Sequence, residues 1–184
     1  MAFEIRLLIP EKTGSGNSSR IIPMENVTDG FIDDDPDRPL FLTYACQVFD
    51  ACGVHFEVDG FFDEPLPLST EYDLVFFLEV LPGFVRFLDD PLAPGYVIDL
   101  CEQGTEIRYE FTKIEGDEII EVAYSSGIDR NLKNRTENVL RRELINQMVL
   151  FVKNYQKALA EYLSEEANHS WNQALFAFIQ RWDE

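Results

Sequence analysis

Apolar and polar side chains alternate most regularly between residues 96 and 124. Three strands are predicted there, over 96–102, 106–114 and 118–124, joined by turns at Gln103-Gly104 and Glu115-Gly116-Asp117. In the second strand Ile107, Tyr109 and Phe111 take one face, and Glu106, Arg108, Glu110 and Thr112 take the other. In the third, Ile120, Val122 and Tyr124 share a face with Glu121 opposite. The pattern is that of an antiparallel meander with one buried face and one solvated, mostly acidic face.

Elsewhere the period changes. Residues 3–9 read as a strand that stops at Pro10, followed by the small polar loop 13–19, the apolar patch 21–24 and an acidic loop over 29–39. Residues 40–49 and 54–62 read as two strands joined by a hairpin turn at Asp50-Ala-Cys-Gly53, with a helix as the rival reading of 40–50. A helix is predicted over 70–90, with Thr70 as cap, Asp73 in the first turn and a kink or break at Pro82-Gly83. Its stripe is Leu74, Phe77, Leu78, Leu81, Val85 and Leu88. The longest stripe, Leu140, Leu144, Met148, Phe151, Tyr155, Leu159 and Tyr162, predicts a helix over about 135–164, with Asn134 as cap and Glu137 completing a capping box. A short aromatic helix over 171–182 follows. Segregated strands and helices predict an α+β fold in a single domain, 1–184, with a helical portion over 134–184. An antiparallel sheet of about five strands packs on the long C-terminal helix and on the kinked helix near 70–90.

Composition adds a core and a field. The chain is 46% hydrophobic with 15 Phe, more apolar material than an acidic disordered tail carries. Its formal net charge is −19, unevenly spread. Residues 1–129 hold 7 basic and 27 acidic side chains, residues 130–157 hold 7 and 2, and residues 158–184 hold 1 and 5. Such a field draws cationic partners and repels nucleic acid and anionic membrane. The N-terminus reads as a strand and not as a signal peptide, the apolar runs fall far short of a bilayer span, and the odd set Cys46, Cys52 and Cys101 suits a reducing, cytoplasmic compartment.

No catalytic motif stands above chance. Cys52, His55 and Asp59 are close in sequence but would tend to face opposite sides of a strand. Asp33, Asp35 and Asp37 alternate like the early ligands of a calcium loop, yet Arg38 and Tyr44 stand where that loop needs Gly and Glu. Gly14-Ser-Gly leads into neither a Lys-Ser pair nor a helix, so it is no phosphate loop. The basic residues Arg130, Lys133, Arg135, Arg141, Arg142, Lys153 and Lys157 read as internal neutralisation or a solvated helix face before they read as a nucleic-acid patch. No cofactor and no metal are called for.

What remains is surface. Asp33, Asp34, Asp35 and Asp37 on the loop, with Glu106, Glu110 and Glu121 on the meander, form the candidate protein-binding face. In size, acidity and lack of catalytic motifs the chain resembles small bacterial immunity proteins, as a class by composition; no motif identifies a family. That resemblance implies a non-enzymatic protein that masks a basic partner, such as a toxin or, in a DNA-mimic version, a DNA-binding protein. The alternatives are an enzyme with a cryptic site and an oligomeric subunit joined through the C-terminal aromatics Phe151, Tyr155, Tyr162, Trp171, Phe176, Phe178 and Trp182.

Overall fold

The computed structural model describes residues 3–10, 40–61, 66–100, 107–114, 118–126, 135–164 and 170–182. Among these residues, strands and helices form two antiparallel sheets and four helices. The first sheet has the order β1-β2-β3, from β1 (Glu4–Leu8), β2 (His55–Asp59) and β3 (Leu66–Leu68). The second has the order β4-β5-β6-β7, from β4 (Gly95–Leu100), β5 (Ile107–Ile114), β6 (Ile119–Ser126) and β7 (Arg135–Leu140). The helices are α1 (Leu40–Ala51), α2 (Asp73–Asp89), α3 (Arg141–Tyr162) and α4 (Ser170–Trp182). The predicted meander is β4-β5-β6, and the predicted single sheet of about five strands is instead divided in two.

The segment 40–49 is a helix, the rival reading. Its polar positions Thr43, Gln47 and Asp50 recur at intervals of four and three, which is a helical period, and the broad apolar remainder is buried. The Asp50–Gly53 stretch is the end of this helix and not a hairpin. Val54 N–H donates to Phe49 O at 2.9 Å and Gly53 N–H to Asp50 O at 3.0 Å, with Gly53 at φ +77°. That is a Schellman ending, and glycine is the residue that reaches its left-handed position without strain.

The first six residues of the predicted helix 135–164 form β7, paired with β6. Glu137 therefore lies opposite Val122 and not in a capping box, and α3 starts at Arg141 without a side-chain cap. Leu140 falls on the helical stripe by spacing alone; an i, i+4 match of one residue does not distinguish a helix from the strand that leads into it. Thr70 likewise does not cap α2. Its hydroxyl donates to Val54 O at 2.9 Å, while Asp73 Oδ2 accepts from Ser69 N–H at 2.7 Å. Pro82 lies inside α2, which continues through it as one element. Gly83 leaves room for Tyr96, whose hydroxyl donates to Val80 O at 2.8 Å; a Cβ on Gly83 would overlap that hydroxyl.

The core is largely aromatic. Phe111 on the inner face of the second sheet meets Phe84 of α2 at 4.6 Å, and Phe3 adjoins Phe61, Tyr109 and Phe111 at 5.6–5.8 Å. On the side of the first sheet, Phe56 packs on Phe77 of α2 and Phe151 of α3, which themselves meet at 4.9 Å. Helix α2 is thus shared by both sheets. Phe151 and Tyr155 of the C-terminal aromatic stripe are buried in this core, and Tyr162, Phe176 and Trp182 are packed partly against it.

Helix α3 also closes an edge. Gln147 Oε1 accepts from Ile5 N–H at 3.4 Å and its Nε2 donates to Phe3 O at 2.8 Å; seven residues on, Asn154 Nδ2 donates to Leu7 O at 2.9 Å. Two helical turns advance about 10.5 Å, against roughly 13 Å for the four residues from Phe3 to Leu7, so one helix face tracks the strand. The Gln147 amide takes the place of a peptide group of a neighbouring strand and keeps the β1 edge from being exposed.

Candidate functional site

Two carboxylate clusters stand on the outer faces of the sheets, each organised by one arginine. On the first sheet the cross-strand pairs Glu4↔Asp59 and Arg6↔Glu57 put three acids and one base on a single face. Arg6 Nε lies 2.9 Å from Glu57 Oε1, its NH1 3.3 Å from Glu4 Oε2, and its NH2 3.2 Å from Asp59 Oδ2. Asp59 Oδ1 also accepts from Gly60 N–H at 2.7 Å. Two like charges placed opposite each other, Glu4 and Asp59, would be unfavourable alone, and Arg6 between them offsets that. The cluster keeps a surplus of two negative charges.

On the second sheet Arg108 Nε meets Glu110 Oε1 at 2.8 Å, while its NH1 lies 3.7 Å from Asp99 Oδ2. Glu121 stands opposite Thr112 on the same face. Two acids flank this base, and Glu121 stands farther along the same face. Glu110 and Glu121 are therefore brought to one outer face, as their alternation predicts. Glu106, Asp33, Asp34, Asp35 and Asp37 lie outside the described residues, as does Cys101. The first cluster was missed in the sequence, although Glu4/Arg6 and Glu57/Asp59 each show period two; only the β1–β2 register joins them.

The charge count sharpens the picture. Among the described residues stand 16 acidic and 10 basic side chains, −6 of the total −19. The other 18 acidic and 5 basic residues, −13, belong to segments outside them. The described part of the chain is thus moderately acidic.

The basic segment is partly spent inside the fold. Arg135 donates to Phe61 O, and Arg141 Nε donates to Leu88 O at 2.6 Å at the carbonyl end of α2. Lys113 joins that end through Asp90 O, and Arg181 of α4 pairs with Asp89 at 3.3 Å. Cations from three elements meet the negative pole of one helix, an arrangement that stabilises it. Arg142, Lys153 and Lys157 remain exposed on α3.

Among the described residues the Cys52, His55 and Asp59 set is not arranged for attack. Cys46 is fully buried, and burial with Glu79 nearby pushes its thiol well above the ordinary range, so it carries no thiolate at neutral pH. Cys52 lies half-buried past the end of α1, His55 is exposed at the start of β2, and Asp59 is held by Arg6 and Gly60. Burial also pushes the Tyr109 and Tyr155 hydroxyls up; Tyr155 donates to Asn172 Oδ1 at 3.0 Å, whereas the Tyr109 hydroxyl finds no partner among the described residues. Among the described residues no group of three or more His, Cys, Asp or Glu is placed to hold a metal ion, and no helix is long and apolar enough to cross a membrane. No protein-family model, curated protein or solved structure matches the chain, so the function is argued from this geometry alone.

Proposed function

We propose that this protein is a non-enzymatic acidic binding protein that masks a basic protein partner, in the manner of an immunity protein neutralising a toxin or of a DNA mimic occupying a DNA-binding protein. The observation that supports this reading is an arginine set among carboxylates on each sheet's outer face, three about Arg6 and two about Arg108. Side chains on strands are positioned before a partner arrives, so little order is lost on docking. The surplus charge speeds encounter with a cationic surface, and the arginine at the centre of each cluster fixes where the carboxylates stand. Asp33, Asp34, Asp35, Asp37 and Glu106 extend the same charge in sequence.

The test is association kinetics with the protein captured from a lysate of the source cells at low salt and released at high salt. Reversal to lysine at Glu4 and Glu57, or at Glu110 and Glu121, is expected to slow association tenfold or more and to flatten its salt dependence. Unchanged rates in both double variants, or a captured partner without a basic surface, remove the masking function. Displacement of the protein by duplex DNA separates the DNA-mimic form from the toxin-binding form.

A further inference from the structure

Among the described residues neither edge of the second sheet has a further strand beside it, and the two edges are complementary to each other. Arg141 N–H donates to Glu118 O at 2.8 Å, in register with the β6–β7 ladder. Hydrogen-bonded pairs recur every second residue, so Val139, Glu137 and Arg135 face β6, and Thr136, Asn138 and Leu140 turn their N–H and C=O groups outward. All three are exposed, and among the described residues no hydrogen bond meets those groups. At the other edge Lys113 N–H donates to Pro94 O at 3.2 Å, in register with β4–β5. The same alternation turns Gly95 and Val97 outward from β4, and both are exposed.

The two edges carry opposite charge. Among the described residues, 135–142 around β7 hold three basic side chains and one acidic, and 87–100 around β4 hold three acidic and no basic. Arg135 donates to a neutral carbonyl and Arg142 is exposed, so both keep their charge, while Arg141 is spent at the end of α2 and Asp89 and Asp99 are partly offset by Arg181 and Arg108. The strands match in length at six residues each. A four-stranded antiparallel sheet also begins and ends on strands of opposite direction. A copy displaced along the sheet in the same orientation therefore continues the antiparallel order, with its inner face on the same side.

We infer that a second copy of this chain adds head to tail, the β7 edge of one protomer pairing with the β4 edge of the next. With the strands fully overlapped, Val97 stands opposite Asn138 of the partner subunit and diagonal to the partner subunit's Leu140. These are the exposed apolar residues of the two edges, at 41% and 45% exposure for Val97 and Leu140. A two-fold pairing of β7 with β7 would set cation against cation, so charge selects the heterologous join. The net −19 of each copy opposes association at long range, but physiological salt screens beyond about 8 Å, whereas paired strands lie about 5 Å apart. A heterologous contact does not close on two subunits, so the assembly grows with concentration. The inference does not rest on the masking function, which concerns the sheet faces.

The test uses proline at outward-facing positions, where no ladder bond inside the fold is lost. Val97→Pro blocks the β4 edge and Asn138→Pro the β7 edge. In sedimentation between about 5 and 500 µM, the wild type is expected to exceed a dimer with rising concentration. Each variant alone stays monomeric, and their equimolar mixture stops at a dimer, because one usable edge of each kind remains. A wild type that stays monomeric throughout overturns the inference. So does dimerisation of Val97→Pro alone, which shows β7–β7 pairing, or of Asn138→Pro alone, which shows β4–β4 pairing. Wild-type assembly in both variants places the contact elsewhere and overturns it too. If either proline variant unfolds, hydrogen exchange on the wild type decides: the Val97, Thr136, Asn138 and Leu140 amides slow with concentration, or the inference fails.

Discussion

The two sheets are built from the same antiparallel chemistry and treat their edges in opposite ways. The β1 edge of the first sheet is covered by Gln147 and Asn154 of α3, which supply the hydrogen bonds that another strand would supply. In the second sheet, the outward N–H and C=O groups of β7 and β4 meet no partner among the described residues. The difference comes from chain order. Helix α3 follows directly from β7, so it turns away from that strand's edge and lies instead along β1. An edge is closed when an element passes over it, and charge manages an edge that nothing covers.

The contrast breaks most completely where the two sheets touch. Gly60 sits at φ +116°, and a Cβ there would fall 2.6 Å from Phe3 Cα. Gly60→Ala is expected to cost roughly 3 kcal/mol or more, from backbone strain and overpacking together. Chemical denaturation measures it, and a loss below about 1 kcal/mol would mean the junction is loose. Next comes the covered edge itself. Gln147→Leu leaves Phe3 O and Ile5 N–H without partners and should cost about 1–3 kcal/mol, whereas Asn138→Ala on the open β7 edge should stay within about 0.5 kcal/mol. Equal losses at the two positions would erase the distinction.

The same contrast runs inward. Tyr155 in the helical layer has Asn172 as acceptor, and Tyr155→Phe should cost about 1 kcal/mol; Tyr109 beneath the second sheet has no partner among the described residues, so Tyr109→Phe should be neutral or stabilising. Burial raises both hydroxyls and the Cys46 thiol. Below about pH 7.5 all three are protonated in folded and unfolded chains alike and set no pH dependence. Above it the unfolded chain gives up protons that the folded chain keeps. Stability should then fall with rising pH by up to about 1.4 kcal/mol per unit for each group. Alkaline titration of the midpoint of urea unfolding checks the sign, and a midpoint that is flat to pH 11 would contradict it.

The smallest effect separates the two faces. Arg6 reaches three carboxylates and is about a third exposed, while Arg108 is more exposed, at 46%, and holds one carboxylate closely. After allowance for solvent screening, Arg6→Met should cost about 1 kcal/mol and Arg108→Met less than about 0.5 kcal/mol. The gap should close in 1 M salt; a gap that persists there would point to packing of the Arg6 stem.

Much of this was legible in the chain. Alternation over 96–124 marks β4, β5 and β6, and it places Glu110 and Glu121 on one face because period two needs no knowledge of neighbours. The apolar spacing from Leu144 onward marks α3. The failures have a common cause. Residues 40–49 are buried on so much of their circumference that the apolar run hides its period, and only Thr43, Gln47 and Asp50 betray it. Residues 135–140 are strand because β6 offers them a ladder, a long-range pairing that local spacing does not contain.

The sequence by itself determined the acidic field and the two periods of its apolar residues, since each depends on side-chain chemistry and near neighbours. Only the tertiary structure decided that Arg6 gathers three carboxylates, that α3 closes β1, and that β7 and β4 end the second sheet among the described residues. Those outcomes depend on register and on which element crosses which edge, and contacts between Ile5 and Gln147, 142 residues apart, are written into no local pattern.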